Sequence, residues 1–500
     1  MIQRHLICLL VALGFAQADV SRPNILLVLI DDMGPMDTSV PFLADSEGQP
    51  VKHPLNQFYH TPEMEKLAAQ GFRSSRFYAN SVCSPTRASI MTGQSSARHR
   101  TTQWIRLTGR NGGSHDPADW NWSGLGKDNV TLARLLQSAG YRTIHCGKGH
   151  FAPFNHEGSN PKDIGFDVNI GGGSIGRPSS YYGEEGYGHI RGTSKIHAVP
   201  GLEAYRGTKT YLTEALTLEL KKEISAAVEA KKPFFAYMSH YALHSPFQAD
   251  PRFKDRYAGI QGRSKREVAY ATMAEGIDKS LGDLMRHIES LGVAEDTLVV
   301  FLGDNGSDAP MGNSHGHTSS APLRGKKATH YEGGMRVPFI AAWAQPSEDA
   351  QIQKRFPITQ GILEPTDIGT VHDLLPTLLK VTGVEAPEEH VIDGASLWPW
   401  FAGIETAQPQ RFLMHFPHSH RSSYFTVLID GHRKLVWHQL NEGDERFELF
   451  DLEADPYEKK NLAEDRPALL KEMRGLMAEE LMAVDAQAPK GVDIRTALIP

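Results

Sequence analysis

The sequence predicts an α/β fold: a large mixed, mostly parallel sheet sandwiched by helices, followed by a smaller C-terminal antiparallel sheet with one helix. Two observations lead to this prediction. Short apolar runs alternate with longer helical patterns through most of the chain, as in a sheet that is covered on both faces. After about residue 405 the runs become shorter and alternate between apolar and polar residues. The predicted boundaries are therefore residues 19–404 and 405–500.

Five apolar runs are predicted to be buried parallel strands. They are residues 24–30, 141–146, 234–239, 297–303 and 337–343. A helix is predicted to begin at Pro62 with Thr61 as its cap, and further helices are predicted over residues 132–139, 208–229 and 266–291. The C-terminal part is predicted to contain strands at 424–429, 434–438 and 447–452 and a helix at 466–482.

The first 18 residues have the pattern of a cleavable signal peptide. A short polar start precedes the apolar run 6–15, and Ala16-Gln17-Ala18 is a small-x-small cleavage site. That run is too short to span a bilayer, and no other stretch reaches about 20 apolar residues. We therefore expect a secreted or periplasmic protein that is cleaved after Ala18 and has no membrane anchor. The alternative is a buried N-terminal strand.

Charge and cysteine content narrow the class of protein. The 500-residue chain carries a net charge of -7, which gives no indication of nucleic-acid binding. Once Cys8 has left with the signal peptide, only Cys83 and Cys146 remain, and two cysteines do not make a disulfide scaffold. Either the pair is bridged or at least one of the two is present for its chemistry.

Acidic and amide side chains follow two of the predicted strands. Asp31 and Asp32 end the first strand, and Asp304 and Asn305 follow the strand at 297–303. In doubly wound sheets, ligands bind beyond the carboxyl ends of the strands. Three carboxylates gathered there would repel one another without a cation, and four oxygen donors favour a hard ion, Ca²⁺ or Mg²⁺, over zinc. A turn or a helix cap explains either pair equally well when it is taken alone.

Cationic side chains follow other strands. Lys148 and His150 come after the second strand, His244 comes after the third, and Lys326 and Lys327 lie in a Gly-containing loop. If several of them converge beside a cation, they would suit a bound tetrahedral anion and a charged transition state. Each of them alone is more often a solvated or internally satisfied residue.

Cys83 is predicted to open a helix. In Cys83-Ser84-Pro85-Thr86-Arg87 the proline suits the first helical turn. The partial positive charge of a helix N-terminus favours an anionic nucleophile or a bound oxyanion. Arg87, one turn later, could reach back to the same site. The alternative is a buried structural cysteine.

Taken together, these motifs resemble those of the type I, formylglycine-dependent sulfatases of the alkaline phosphatase superfamily. The resemblance centres on Cys83-x-Pro85-x-Arg87 followed by Thr92-Gly93, and it covers essentially the whole mature chain. The other matching segments are Asn24 through Gly34, Gly147-Lys148-x-His150, His244-x-Pro246, Gly303-Asp304-Asn305-Gly306, Pro322-Leu323-Arg324-Gly325 through Pro338, Glu448-Leu449-Phe450-Asp451-Leu452, Asp455-Pro456 and Asn461-Leu462. The chain resembles bacterial exported polysaccharide sulfatases in particular.

The resemblance implies a fold, a metal and a modification. The fold would be alkaline phosphatase-like, with residues 19–404 as the catalytic domain and 405–500 as a subdomain that completes the active-site cleft. One divalent cation, Ca²⁺ or Mg²⁺, would be bound by a shared set of side chains. A formylglycine-generating maturase would convert the nucleophilic cysteine to Cα-formylglycine. The metal ligands would be Asp31, Asp32, Asp304, Asn305 and the modified Cys83.

The resemblance also implies a role for each cationic residue. Arg87 would hold the hydrated aldehyde, one hydroxyl of which attacks sulfur while the metal lowers its pKa. Lys148 and Lys327 would neutralise the sulfate oxygens. His244, assisted by Lys327, would protonate the leaving oxygen, and His150 would take the proton of the second hydroxyl so that sulfate is expelled. Cys146 would be a buried packing residue.

Two positions depart from the family pattern. Gly149 stands where the common Gly-Lys-Trp-His motif has tryptophan, which predicts a roomier loop. The usual Gly-Gly-Lys appears as Gly325-Lys326-Lys327, and counting back from Glu332 assigns Lys327 to the family lysine, with Lys326 as the alternative.

The signal peptide and the long Gly-rich, aromatic loops 99–127 and 152–206 favour a sulfated poly- or oligosaccharide as substrate. Candidate sugar-stacking residues are Trp104, Trp120 and Trp122, and candidates for binding carboxylates or further sulfates are His99, Arg100, Arg177 and Arg421. Loop packing or surface charge explains each of them equally well. A closed cup around Cys83 would indicate exo action and an open groove endo action.

Three other functions compete with this interpretation. The first is an arylsulfatase that acts on small sulfate esters. The second is a phosphoester hydrolase of the same superfamily, and the single-metal ligand set argues against its two-metal members. The third is an inactive glycan-binding homologue. The presence of a matching residue at every catalytic position argues against it. The sequence does not fix the oligomeric state.

Overall fold

The computed structural model describes residues 22–311, 319–404 and 411–499. The proposed signal peptide with its cleavage site lies outside the described residues, as does the proposed boundary at residue 405. None of the helices in the described part of the chain has the length and apolar character of a transmembrane segment.

Strands and helices alternate through most of the described chain before Arg411, and four consecutive strands and two helices follow. The strands are β1 (Asn24–Ile30), β2 (Leu43–Ala44), β3 (Pro50–Val51), β4 (Phe72–Ser74), β5 (Phe77–Tyr78), β6 (Arg142–Gly147), β7 (Val168–Ile170), β8 (Phe234–His240), β9 (Thr297–Gly303), β10 (Arg336–Val337), β11 (Phe339–Trp343), β12 (Ile362–Glu364), β13 (Gly369–Thr370), β14 (Arg411–Phe416), β15 (Phe425–Asp430), β16 (Arg433–His438) and β17 (Phe447–Asp451). The helices are α1 (Pro54–Phe58), α2 (Pro62–Ala69), α3 (Cys83–Thr92), α4 (Ser96–His99), α5 (Leu132–Ser138), α6 (Leu212–Glu229), α7 (Lys265–Ser290), α8 (Glu332–Met335), α9 (Gln351–Arg355), α10 (Leu374–Thr382), α11 (Trp398–Phe401), α12 (Pro467–Ala483) and α13 (Ile494–Leu498).

The central sheet has eight strands in the order β12-β4-β11-β9-β1-β8-β6-β7. β1 is parallel to its neighbours β8 and β9, and β6 is parallel to β8 and β7. Only β11 is antiparallel to the strands beside it. The mixed, mostly parallel sheet of the predicted fold class is therefore confirmed.

Helices cover both faces of this sheet, and the central strand β1 carries apolar side chains on both of its faces. Leu26, Val28 and Ile30 pack in one core with α2, α6 and α7. Ile25 and Leu29, on the opposite face, pack in a second core with α3, α5 and α10. Successive side chains of a strand point to opposite faces, so a continuous apolar run is what a sheet between two helical layers requires.

The predicted parallel strand at 337–343 was wrong in both length and direction. The run is divided at Pro338: Arg336–Val337 pairs with β5 in a separate three-stranded sheet, and Phe339–Trp343 runs antiparallel to β9. Proline has no N–H to donate to a strand ladder, which explains the break. An apolar run in the sequence indicates that a strand is buried, but it does not indicate whether the strand is parallel or antiparallel to its neighbours.

One helix start and one helix cap differ from the prediction. The helix predicted from residue 208 begins at Leu212. The Thr61 side chain does not cap α2, because its hydroxyl bonds the Ser39 hydroxyl and backbone N–H instead. The carboxylate of Asp278, on α7, accepts from the first N–H groups of α2 in its place. A tertiary contact therefore replaces the local cap.

The C-terminal part contains the antiparallel sheet and helix that the sequence predicts, with one strand more. Its order is β14-β15-β16-β17, and β14 was missed. One face of this sheet packs against α12 through residues such as Trp437 and Met477. The other face, with Phe412 and Val436, packs against Tyr78 and Ala328 of the preceding part of the chain.

Candidate active site

The carboxyl ends of β1 and β9 bring four oxygen-bearing side chains together. The backbone N–H of Asp32 donates to Asp304 Oδ1 at 3.0 Å, and Asn305 Nδ2 donates to Asp32 Oδ1 at 2.9 Å. One carboxylate oxygen from each of Asp31, Asp32 and Asp304 lies within 4.8 Å of the others, and all three residues are buried. The adjacency follows from the sheet, since the parallel pair β1–β9 ends at one edge.

This cluster fits a hard divalent cation. Asp31 Oδ1 and Asn305 Oδ1 are buried and have no hydrogen-bond partner. Burial, together with the Asp304 and Asp32 carboxylates, raises the pKa of Asp31 well above its ordinary value, although Lys148 opposes the shift. A cation among these oxygens would satisfy the orphaned atoms and keep Asp31 ionised. Oxygen donors without sulfur or imidazole favour Ca²⁺ or Mg²⁺.

Three buried cations face the same carboxylates. Arg87 Nη2 lies 2.8 Å from Asp304 Oδ2, and Lys148 Nζ lies 2.7 Å from Asp31 Oδ2. Lys327 Nζ donates to Asp32 Oδ1. Burial opposes the ionisation of Asp32, but Lys327, His244 and Lys148 together outweigh it and hold the pKa of Asp32 below its ordinary value. The three carboxylates and the three cationic side chains therefore form one buried network of ion pairs.

Cys83 opens α3, as predicted, and its Sγ lies 3.3 Å from His150 Nδ1. His150 Nε2 lies 2.7 Å from the carbonyl oxygen of Ile105, which can only accept, so Nε2 carries the ring hydrogen. Burial and Lys148 lower the pKa of His150 well below its ordinary value, which leaves Nδ1 as an acceptor that lies 3.3 Å from both Cys83 Sγ and the Ser84 hydroxyl oxygen.

The two remaining cysteines are not bridged. Cys83 and Cys146 are both free and buried, so the bridged alternative is wrong. Cys146 Sγ donates to the Leu216 carbonyl oxygen at 3.4 Å, and burial raises the pKa of its thiol. Cys146 is therefore the buried packing residue that was expected.

His244 completes the inner group of residues. Its Nε2 lies 3.8 Å from Asp32 Oδ2, and its Nδ1 lies 3.1 Å from the Ser245 carbonyl oxygen. Burial and Lys327 lower the pKa of His244, while Asp32 raises it. An anion bound beside this ring would favour its protonated form.

Comparisons with known proteins agree with this geometry. Residues 23–384 match the family model described as Sulfatase, and residues 326–487 match the one described as N-sulphoglucosamine sulphohydrolase, C-terminal. The chain belongs to the sulfatase family. It is an enzyme of the sulfuric ester hydrolase class, and the type I family that its motifs resemble is confirmed.

Relatives of this sulfatase include carbohydrate sulfatases. The N-acetylgalactosamine-6-sulfatase of Canis lupus familiaris is 30% identical over 423 residues, which cover 80% of this chain and 70% of the relative. A protein described as Sulfatase from Formosa agariphila is 25% identical over 513 residues, covering 89% of this chain and 85% of the relative. The crystal structure of Ps i-CgsB has a TM-score of 0.72 and 25% identity, with 94% of each chain covered.

A cavity of about 520 Å³ opens above the inner residues of the sulfatase. Cys83, His150, His244 and Lys327 line it. Its volume lies in the range of about 300–1,000 Å³ that is usual for small-molecule sites. Lys326, the alternative to Lys327, does not line the cavity, and its Nζ lies 3.8 Å from Asp308 Oδ1. The structure therefore favours Lys327 as the residue that meets a bound anion.

The loop candidates divide into two groups. Trp104, Arg177 and Arg421 line the cavity, but four others do not. Trp120 is buried beside His418, Trp122 packs on His156, His99 bonds the Ser89 hydroxyl, and Arg100 pairs with Asp485. For these four the structure favours the alternative of loop packing or surface charge, because none of them lines the cavity.

Three residues that line the cavity were not predicted from the sequence, and the space predicted at Gly149 is not present. Arg106, His197 and His420 line the cavity and were not singled out, although the first two lie in the long loops expected to be functional. The space expected at Gly149 is filled: a Cβ there would lie 2.9 Å from the Gly173 carbonyl oxygen. The chain packs closely at this position, so the roomier loop that was expected there is not found.

Proposed function

We propose that this sulfatase removes sulfate from a sulfated poly- or oligosaccharide, with Cys83 converted to Cα-formylglycine and one divalent cation, Ca²⁺ or Mg²⁺. One observation carries the proposal: Cys83 lines the cavity together with His150 and Lys327, with its Sγ 3.3 Å from the acceptor nitrogen of His150 and close enough to Lys327 for their charges to interact. An anionic ester would be held there with its sulfur next to residue 83.

The side chains of Asp31, Asp32, Asp304 and Asn305 would hold the cation, and the modified Cys83 would also contact it. When bound, it would supply positive charge against the sulfate oxygens and acidify the attacking hydroxyl. The hydrated aldehyde would supply that hydroxyl and a second one.

The chain's own residues account for the proton movements. His150 Nδ1, which faces Cys83 Sγ, would accept the proton of the second hydroxyl, so that the aldehyde re-forms as sulfate leaves. Its Nε2–H is fixed by Ile105, which keeps Nδ1 turned toward residue 83. His244 would donate a proton to the sugar oxygen that leaves, and Lys327 would assist it by holding the sulfate.

The relatives support a carbohydrate substrate. N-acetylgalactosamine-6-sulfatases match about four-fifths of the chain. Ps i-CgsB has also been solved with k-i-k-neocarrahexaose. By analogy with such proteins, a sulfated sugar fits both the cavity and the family. The C-terminal part would complete the cleft, because His420 and Arg421 line the cavity from the β14–β15 connection.

The proposal is tested by a sulfate-release screen. The protein is co-expressed with a formylglycine-generating maturase and incubated with algal and animal sulfated glycans, with 4-nitrophenyl sulfate and with 4-nitrophenyl phosphate. We expect sulfate release from at least one glycan, a preference for the sulfate over the phosphate ester, and no release by Cys83→Ala. Release from the aryl sulfate alone would indicate an arylsulfatase, a preference for phosphate would indicate a phosphoester hydrolase, and no release would indicate a binding protein.

We also propose that the protein is exported and cleaved after Ala18. N-terminal sequencing of the protein recovered outside the cytoplasm would be expected to begin at Asp19. A mature protein that retains its first residues inside the cell would contradict this proposal.

A further inference from the structure

Two arginines of the cavity wall lie beside the proposed catalytic histidine. Arg106 follows Ile105, whose carbonyl oxygen accepts from His150 Nε2 and whose N–H donates to the Ser84 hydroxyl at 3.1 Å. Arg177 follows Gly176, where an added Cβ would lie 2.7 Å from Cε1 of His150. Both arginines line the cavity that contains Cys83. Each therefore directly follows a residue that packs close to the His150 ring, and the two lie on separate loops.

The charges of these two arginines are not compensated within the described residues. No carboxylate there forms an ion pair with either one, and the Arg177 guanidinium donates only to the neutral Thr193 hydroxyl at 3.1 Å. Other arginines of the same loops do pair: Arg100 with Asp485, Arg191 with Glu185 and Arg206 with Glu203. An unpaired guanidinium in a cavity wall is a binding group for an anion.

The third arginine of the cavity differs from these two. Arg421 forms a two-pronged pair with Asp308, with both N–O distances at 2.7 Å. Asp308 already neutralises the charge of Arg421. Arg106 and Arg177 are therefore better candidates than Arg421 for binding a substrate anion.

We propose that Arg106 and Arg177 form a second anion subsite, which binds a carboxylate or an additional sulfate on the substrate near the ester that is cleaved. The inference rests on the proposed glycan sulfatase function. The proposed substrate is then a sugar chain with at least two anionic groups. The cleavable sulfate would bind beside Cys83, and the second anion would bind to the two guanidiniums.

Matched substrates test the subsite. The probes are three defined oligosaccharides of the same backbone that share the cleavable sulfate: one otherwise neutral, one with an additional sulfate and one with a uronic acid carboxylate. The readout is the ratio of kcat/KM for each doubly anionic probe to that for the singly anionic probe. This ratio is measured within one protein sample, so it does not depend on the fraction that is folded or matured.

We expect a ratio of about ten or more in the wild-type enzyme for one of the two doubly anionic probes, since charge-assisted hydrogen bonds are typically worth that much. Arg106→Ala and Arg177→Ala should each lower the ratio toward one. Arg106→Lys and Arg177→Lys should give intermediate ratios, because lysine keeps the charge and loses the fork. Arg191→Ala, an exposed arginine of the same loop as Arg177, should leave the ratio unchanged.

The outcomes separate this inference from the proposed function. A wild-type ratio near one, or a ratio that both alanine variants leave unchanged, overturns the subsite while sulfate release still supports the enzyme. If no probe and no aryl sulfate is hydrolysed, the proposed function fails and the subsite fails with it. The probe with the higher ratio identifies the second anion as sulfate or carboxylate.

Discussion

Arg87 organises the centre of the site at the scale of single residues. Its Nε and Nη2 both donate to Asp304 Oδ2, at 3.1 and 2.8 Å, and its Nη1 donates to the Lys148 carbonyl oxygen at 3.0 Å. One planar guanidinium therefore fixes a proposed metal ligand and the backbone of a proposed sulfate-binding lysine. Arg87 is fully buried, so no water can replace these bonds.

Arg87→Lys should reduce sulfate release strongly. Lysine retains the charge but has a single nitrogen, which cannot bond Asp304 and the Lys148 carbonyl in the same geometry. We expect kcat to fall about 100-fold or more, as when an electrostatic group is removed from an active site. Arg98→Lys is the control, because Arg98 pairs with Asp393 away from the cavity and should keep wild-type kcat. An Arg87→Lys enzyme within a few-fold of wild type would rule out this role.

The residues of the site could be predicted from the sequence, but their pairings could not. Asp31, Asp32 and Asp304 follow strands whose carboxyl ends share an edge, so pattern alone brings them together. Lys148 pairs with Asp31, and Lys327 pairs with Asp32. These pairings depend on distances in the folded protein, which the spacing of residues in the sequence does not show. Trp120 shows the same limit, since an aromatic loop residue can pack inward as readily as it can face a ligand.

At the scale of elements, the end of β6 directs two site residues. Gly147 has φ of 103°, and the next N–H, of Lys148, donates to the Ser239 carbonyl oxygen at 2.7 Å. A Cβ on Gly147 would lie 1.9 Å from that oxygen. The close approach of β6 to β8 turns the chain so that Lys148 and His150 enter the site.

Gly147→Ala should therefore cost both stability and activity. The added methyl must displace backbone of β8, and we expect a loss of about 3 kcal/mol or more in the free energy of unfolding. Gly140→Ala, before the start of β6, is the matched control: its φ is 90° and a Cβ there meets nothing within 4 Å. It should cost only about 1 kcal/mol in left-handed strain. Equal losses in urea denaturation would refute the steric account.

The predictability of elements follows the same reasoning. Buried strands such as β1 and β9 were located to the residue because both faces are apolar. The direction of β11 and the existence of β14 were not predicted, since strand pairing is a tertiary property. Pro338 is the one local signal that could have indicated the break before β11.

At the scale of the whole molecule, a buried ion triad joins the C-terminal sheet to the rest of the protein. Lys434, on β16, lies 3.0 Å from Glu332 Oε1 and 2.6 Å from Glu458 Oε1. Glu332 opens α8, beside Gly333 and Gly334, which pack against Gly306 just after the Asp304-Asn305 pair. The C-terminal sheet therefore supports the loop behind the proposed metal site.

This triad predicts a pH dependence of stability. Burial and the Glu332 carboxylate raise the pKa of Glu458 from 4.5 to about 7. Because the folded state binds this proton more tightly than the unfolded state, the contribution is present below about pH 4.5 and is lost as the pH rises to about 7. Relative to Glu458→Gln, the wild-type free energy of unfolding should therefore decline across that interval. The exposed control Glu453→Gln should parallel the wild type, and parallel profiles for Glu458→Gln would contradict the assignment.

The chemical state of residue 83 decides the central claim, that a modified Cys83 is the nucleophile of this sulfatase. The decisive measurement is the mass of the proteolytic peptide that contains residue 83, taken from enzyme that is shown to release sulfate. We predict the mass of the aldehyde, in a fraction that rises in proportion to sulfate release as maturase is supplied. An unmodified thiol in fully active enzyme would contradict the account.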